Sequence, residues 1–201
     1  MKKRNKEIII ITILSIIFIL LSIFVVTNKT ISLDNNIHSY ILSIRNNNLN
    51  NIFKIITNLG SASCLIIITI SILLFIKNKK IGKNIIFHLL LALLLNQFTK
   101  IIFARPRPIN ISLIEESGYS FPSGHSMISL VFYGYIIYQV YKSNINKNLK
   151  LIINTLLIII ILLIGTSRIY LGVHYLTDVI GGFILALIYL LISKNIKLEK
   201  K

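Results

Sequence analysis

Six charge-free apolar windows, separated by polar or basic segments, set the pattern of the chain. The first runs from Ile8 to about Thr27, and the second lies between Lys54 and Lys77 with its densest part from Cys64 to Ile76. The third follows Lys83 and reaches Lys100, the fourth fits between Glu116 and Lys142, the fifth between Lys150 and Arg168, and the sixth between Asp178 and Lys194. A helix that crosses a bilayer needs roughly 20 mostly apolar residues. The third, fifth and sixth windows hold 16, 17 and 15 uncharged residues, so they reach full length only if Lys100, Arg168 and Asp178 are drawn into the helix ends. The pattern predicts an all-α, polytopic membrane bundle of six transmembrane helices, formed by residues 1–201 as a single domain.

Between the first two windows, Asn28 to Asn51 is polar and Asn-rich and reads as a loop that includes His38, with a solvated turn at Asn46 to Asn48. Ile52, Phe53, Ile55, Ile56 and Leu59 then recur at helical spacing, which predicts a helix lying on the membrane surface. The stretch from Ile8 to Thr27 exceeds the ~7–15 residues of a signal-peptide core and no small-x-small cleavage site follows it, so it reads as a span.

Composition supports the membrane reading: 55% of residues are hydrophobic and 14% charged. The net charge of +16, from 22 Lys and Arg against 6 Asp and Glu, would suggest nucleic acid in a soluble protein. Its distribution points to the membrane instead. Fifteen of the 22 cations fall in four clusters: Lys2, Lys3, Arg4 and Lys6; Lys77, Lys79, Lys80 and Lys83; Lys142, Lys147 and Lys150; Lys194, Lys197, Lys200 and Lys201. These alternate with the windows as cytoplasmic loops do, which predicts a multi-pass cell-membrane protein with both termini cytoplasmic. The lone Cys64 excludes a disulfide framework and a thiolate metal cluster.

By the same parity, Lys100, the start of the fourth helix, Arg168 and the start of the sixth all face the extracytoplasmic side, where cations oppose the charge bias. Lys100, Arg107 and Arg168 form a receptor for a multiply charged oxyanion, because guanidinium forks match phosphate oxygens. Pro122-Ser123-Gly124-His125 opens the fourth helix, with Ser123 as N-cap and first-turn N–H groups available to the same anion. His174 and Asp178 stand four apart, so the carboxylate can orient the imidazole. That makes His174 a candidate nucleophile and His125 a candidate general acid.

Lys100 with Arg107-Pro108, Pro122-Ser123-Gly124-His125, and Ser167-Arg168 with His174 and Asp178 together resemble the three-part signature of the type 2 phosphatidic acid phosphatases, a superfamily shared with vanadium haloperoxidases. The resemblance implies a lipid phosphatase that uses no metal or other cofactor. His174 would form a phosphohistidine, Asp178 would orient it, and His125 would protonate the leaving oxygen. Lys100, Arg107, Ser123, Gly124 and Arg168 would hold the phosphate. The partners implied are a lipid phosphate substrate and membrane lipids, with no nucleic acid. Undecaprenyl diphosphate is the first candidate substrate, with phosphatidylglycerophosphate, phosphatidate or transfer to another acceptor as alternatives. A transporter on this scaffold would not require a nucleophile, an orienting acid and three cations together.

Other polar residues read as structural. Arg105 is a rim contact or a solvated loop residue, Glu115 and Glu116 belong to a solvated loop, and His88 is a buried hydrogen-bonding residue. Tyr170, Gly172 and Tyr175 pack, and Gly181-Gly182 allows close helix approach.

Overall fold

A computed structural model describes residues 2–195, with side chains from 4 to 193. Lys197, Lys200 and Lys201 of the C-terminal basic cluster, and the side chains of Lys2, Lys3 and Lys194, lie outside the described residues. Eight helices and no strand occur among the described residues: α1 (Lys2–Val26), α2 (Ile31–Ile44), α3 (Asn47–Asn58), α4 (Ala62–Phe75), α5 (Lys79–Phe103), α6 (Gly124–Lys142), α7 (Lys147–Tyr170) and α8 (Leu176–Asn195). The short windows are lengthened as their deficit required. Lys100 sits in the last turn of α5, Arg168 in the last turn of α7 and Asp178 in the first turn of α8.

Among the described residues, four helices are long and apolar enough to cross a membrane: α1 from Arg4, α5, α7, and α8 to Ser193. The helix expected at Ile52 to Leu59 is present as α3, and the dense part of the second window is α4. The two are separated at residues 59–61, meet at 47° and supply a fifth span only if the bent pair crosses as one, so length and hydropathy do not account for all six expected transmembrane helices. Ser61 starts α4 by accepting the Cys64 N–H, and α4 alone, with 14 residues, extends only about 21 Å. Helix α6 is long enough, at 19 residues, but too polar to join the apolar set. It packs against α5, α7 and α8, and protein rather than lipid surrounds much of it. Ser126, Ser129, Phe132, Tyr133 and Tyr135 are accordingly buried.

Residues 28–51 depart further, because most of the expected loop is helix α2. The reason is tertiary. Asp34 and His38, one turn apart, are both buried, Asp34 against Thr177 in the first turn of α8 and His38 against His174 in the segment that joins α7 to α8. Asn46 does form a turn, and its side chain caps α3. Arg45 donates to the Tyr170 carbonyl at 2.6 Å and to the Ile111 carbonyl at 2.7 Å, tying the end of α7 to the α5–α6 connection. Tyr170 stacks on Phe53 with ring centroids 4.1 Å apart. His88 is buried and bonded to the Tyr189 hydroxyl at 2.8 Å, as its placement in the third window suggested. A Cβ on Gly181 would lie 2.5 Å from the Phe121 ring, and one on Gly182 would lie 2.7 Å from the Ser123 carbonyl oxygen. This glycine pair lets α8 approach the start of α6.

Candidate active site

Four helix ends and two connections meet at one place. Ser123, fully buried, starts α6: its hydroxyl accepts the Ser126 N–H at 3.4 Å, and its own N–H donates to the Asp178 carbonyl at 2.9 Å. That cap fixes Gly124 and His125 at the wall of a cavity of about 630 Å³, which Lys100, Arg107, Glu116 and His174 also line. Ser123, Arg168 and Asp178 stand behind this wall. The other end of the cavity is apolar, formed by Leu65, Ile66 and Ile70 of α4 and by Ile86, Leu89 and Leu93 of α5.

The His174 ring lies between an acid and a base-seeking cation. Its Nδ1 is 3.5 Å from Asp178 Oδ2 and 3.3 Å from the Ser120 hydroxyl, and its Nε2 is 3.1 Å from Arg107 Nη1. A guanidinium can only donate, so Nε2 holds a lone pair and Nδ1 carries the proton. The carboxylate thus selects the tautomer whose Nε2 is nucleophilic. Burial lowers the pKa of His174 from 6.5 to about 4; Asp178 opposes that shift, and Arg107 and Arg168 add to it. The ring is therefore neutral at pH 7.

Asp178 is itself fully enclosed. Its Oδ2 accepts from the Ser120 hydroxyl and from the Tyr175 N–H at 2.8 Å, and its Oδ1 accepts from Arg105 Nη1 at 2.6 Å. Arg105 thus departs from the expected rim or loop position. It is buried, and its second prong reaches Asp34 at 2.8 Å. His38, expected in a loop, instead places Nε2 3.2 Å from the His174 carbonyl.

The cations are held by backbone and by one carboxylate. Arg107 donates to the carbonyls of Val173 at 2.8 Å, Ser117 at 2.9 Å and Gly118 at 3.0 Å, while Lys100 donates to the Tyr119 carbonyl. Arg168, 1% exposed, donates from Nη1 to the Thr57 hydroxyl at 2.7 Å, and its Nε has no partner among the described residues. Glu116 lies in the exposed α5–α6 loop as expected, yet it also pairs with Arg168 and lies 3.5 Å from Arg107. Burial opposes ionisation of Glu116, but Arg168, His125 and Arg107 outweigh it and hold the group below its ordinary pKa. A carboxylate thus sits against two of the three cations expected from the sequence to receive an oxyanion. Ser120, Thr57, Asp34 and Glu116 carry no motif that sequence reading could have caught, although Ser120 does stand three residues before the N-cap Ser123. Among the described residues, no three His, Cys, Asp or Glu side chains are grouped as a metal site.

A sequence profile of the PAP2 superfamily matches residues 82–201 and so takes in every one of the signature residues. The chain belongs to the PAP2 superfamily. This PAP2 protein is 34% identical over 187 residues to phosphatidylglycerophosphatase B of Bacillus subtilis, covering 90% of this chain and 92% of that protein. It is 30% identical over 185 residues to the undecaprenyl-diphosphatase of Sulfolobus acidocaldarius, covering 86% and 84%. Its fold superposes on the crystal structure of the transmembrane PAP2-type phosphatidylglycerolphosphate phosphatase of Bacillus subtilis with a TM-score of 0.83 at 32% identity, covering 94% of this chain and 98% of that one. Aquifex aeolicus LpxE follows with a TM-score of 0.66 at 27% identity, covering 81% and 95%. The chain is a membrane phosphatase of the PAP2 type.

Proposed function

We propose that this PAP2 phosphatase hydrolyses a lipid phosphate or diphosphate at the extracytoplasmic face, without a metal, through a phosphohistidine on His174. The observation that carries the lipid reading is the shape of the cavity. One continuous space runs from the Lys100, Arg107 and His174 end to the apolar wall of α4 and α5, so it suits a molecule with an anionic head and a hydrocarbon tail. The two curated relatives, a phosphatidylglycerophosphatase and an undecaprenyl-diphosphatase, support the class and offer two substrates. Undecaprenyl diphosphate is our first choice, and phosphatidylglycerophosphate or phosphatidate the alternative.

In the first step His174 Nε2 attacks the terminal phosphorus, a new N–P bond forms, and the P–O bond to the leaving group breaks, which is the lipid alcohol of a monophosphate or the lipid monophosphate of a diphosphate. His125 gives a proton to the departing oxygen. Asp178 and Ser120 hold the Nδ1 proton of a ring that has become cationic. Lys100, Arg107 and the first-turn N–H groups at Gly124 face the equatorial oxygens, and Arg168 and Ser123 add to their stabilisation from just behind the cavity wall, the main electrostatic work of phosphoryl transfer. In the second step water attacks phosphorus, His125 takes its proton, and the N–P bond breaks to release phosphate.

The topology proposed with this reading has six spans, with α3 lying on the membrane surface, α4 as the second span and α6 crossing inside the bundle. Both termini are cytoplasmic, following the basic clusters. The test is purified protein with defined lipid phosphates in the presence of a chelator. Phosphate release supports the proposal. Loss of activity on chelation contradicts it, and transfer of the phosphoryl group to a second lipid would favour a phosphotransferase.

A further inference from the structure

The signature residues all lie after residue 99, and the family profile begins at residue 82. Helix α2 lies outside both, yet it reaches the centre of the site. From its first turn Asp34, fully buried, accepts Arg105 Nη2 at 2.8 Å and the Thr177 hydroxyl at 2.7 Å on one oxygen, and the Thr177 N–H at 3.1 Å on the other. Arg105 bonds Asp178 Oδ1 at 2.6 Å with its other prong and lies 4.1 Å from the centre of the Tyr175 ring. One guanidinium is therefore shared between two carboxylates, and Asp178 meets His174 at the far end of the chain.

We propose that Asp34 is a positioning residue of the catalytic centre, acting through Arg105 to set the negative charge that Asp178 presents to His174. The proposal rests on the reading of His174 as nucleophile. Paired with Asp178 alone, Arg105 would cancel the charge that must stabilise the ring once it bonds phosphorus and becomes cationic. Asp34 takes one prong of the guanidinium, so the three groups together carry one net negative charge. That excess matters because the other charged neighbours of the ring, Arg107 and Arg168, press in the opposite direction. The fork suits arginine specifically, since a lysine ammonium cannot hold two carboxylates in one plane.

The test compares two oxyanions on the full-length protein. Inorganic phosphate reports ground-state binding by the cations. Orthovanadate bonds to the nucleophilic nitrogen and reports the state in which the ring is cationic. In Asp34→Asn, kcat should fall and vanadate inhibition should weaken, each by about tenfold, while KM and phosphate inhibition stay within about twofold, as expected for one buried charge acting at a distance. Arg105→Lys, which keeps the charge and loses the fork, should show the same selective loss and serves if Asp34→Asn does not fold. Unchanged kcat, or parallel weakening of phosphate and vanadate, overturns the proposal. Turnover retained in His174→Ala would instead overturn the nucleophile reading on which it rests.

Discussion

The Thr57 hydroxyl accepts a 2.7 Å hydrogen bond from Arg168 Nη1, across 111 residues of sequence. Arg168 is buried, and losing that acceptor leaves a charged donor unmet, at a cost of about 1–3 kcal/mol. Thr57→Val should therefore lower thermal stability in detergent and weaken inhibition by inorganic phosphate by about tenfold. A variant with unchanged phosphate inhibition would remove α3 from the anion site.

Glu116 occupies the guanidinium of Arg168 and stands beside Arg107, where a phosphate would have to compete with it. Glu116→Gln removes the competing charge and keeps the shape. Inhibition by inorganic phosphate should then tighten by about five- to tenfold, given the strength of close charge pairs at partly buried sites. Weaker inhibition would mean that the carboxylate organises the cations instead of competing for them.

The lowered pKa of His174 has a consequence for stability. The ring takes up a proton near 6.5 when unfolded and near 4 when folded, so the unfolded chain binds more protons between those values. Stability contributed by the neutral ring is full above about 6.5 and is lost as pH falls towards 4. Melting temperature should drop across this window in the wild type, and His174→Asn should flatten that part of the drop. An unchanged profile in His174→Asn would show that the ring does not titrate in this way.

Gly182 packs where a Cβ would lie 2.7 Å from the Ser123 carbonyl oxygen, a backbone atom that cannot swing aside. Gly182→Ala should push α8 away from the start of α6, costing about 1–3 kcal/mol in stability. Activity should fall with it, because Asp178 and Ser123 share that contact through a 2.9 Å backbone hydrogen bond. Thermal melts and turnover measured on the same preparation check both.

Much of the candidate site is legible in the sequence because its residues violate the membrane pattern. Lys100, Arg168 and Asp178 fall where apolar windows are too short, and embedding an ion at a span end is expensive enough to demand a reason. Their grouping followed from counting windows. Helix α2 could not be read in this way, because its residues are polar and Asn-rich and it folds only against partners such as His174 and Thr177, 136 and 143 residues away. Arg105 was ambiguous for the same reason: its burial depends on Asp34, which no local pattern links to it. The break between α3 and α4 is marked in the sequence by Gly60-Ser61, a residue poor in helices followed by a good cap, between the amphipathic stretch from Ile52 to Leu59 and the dense apolar run from Cys64 to Ile76.

The two-step reaction proposed for His174, in which the ring carries the phosphoryl group, leaves a stereochemical record at phosphorus. A phosphate monoester made chiral at phosphorus with oxygen isotopes would be turned over in the presence of an alcohol acceptor, and the configuration of the transferred group determined. Each in-line displacement inverts phosphorus, so attack by His174 Nε2 followed by attack of the acceptor gives overall retention. Retention is the predicted result. Inversion would show a single direct displacement and would contradict a phosphohistidine at His174.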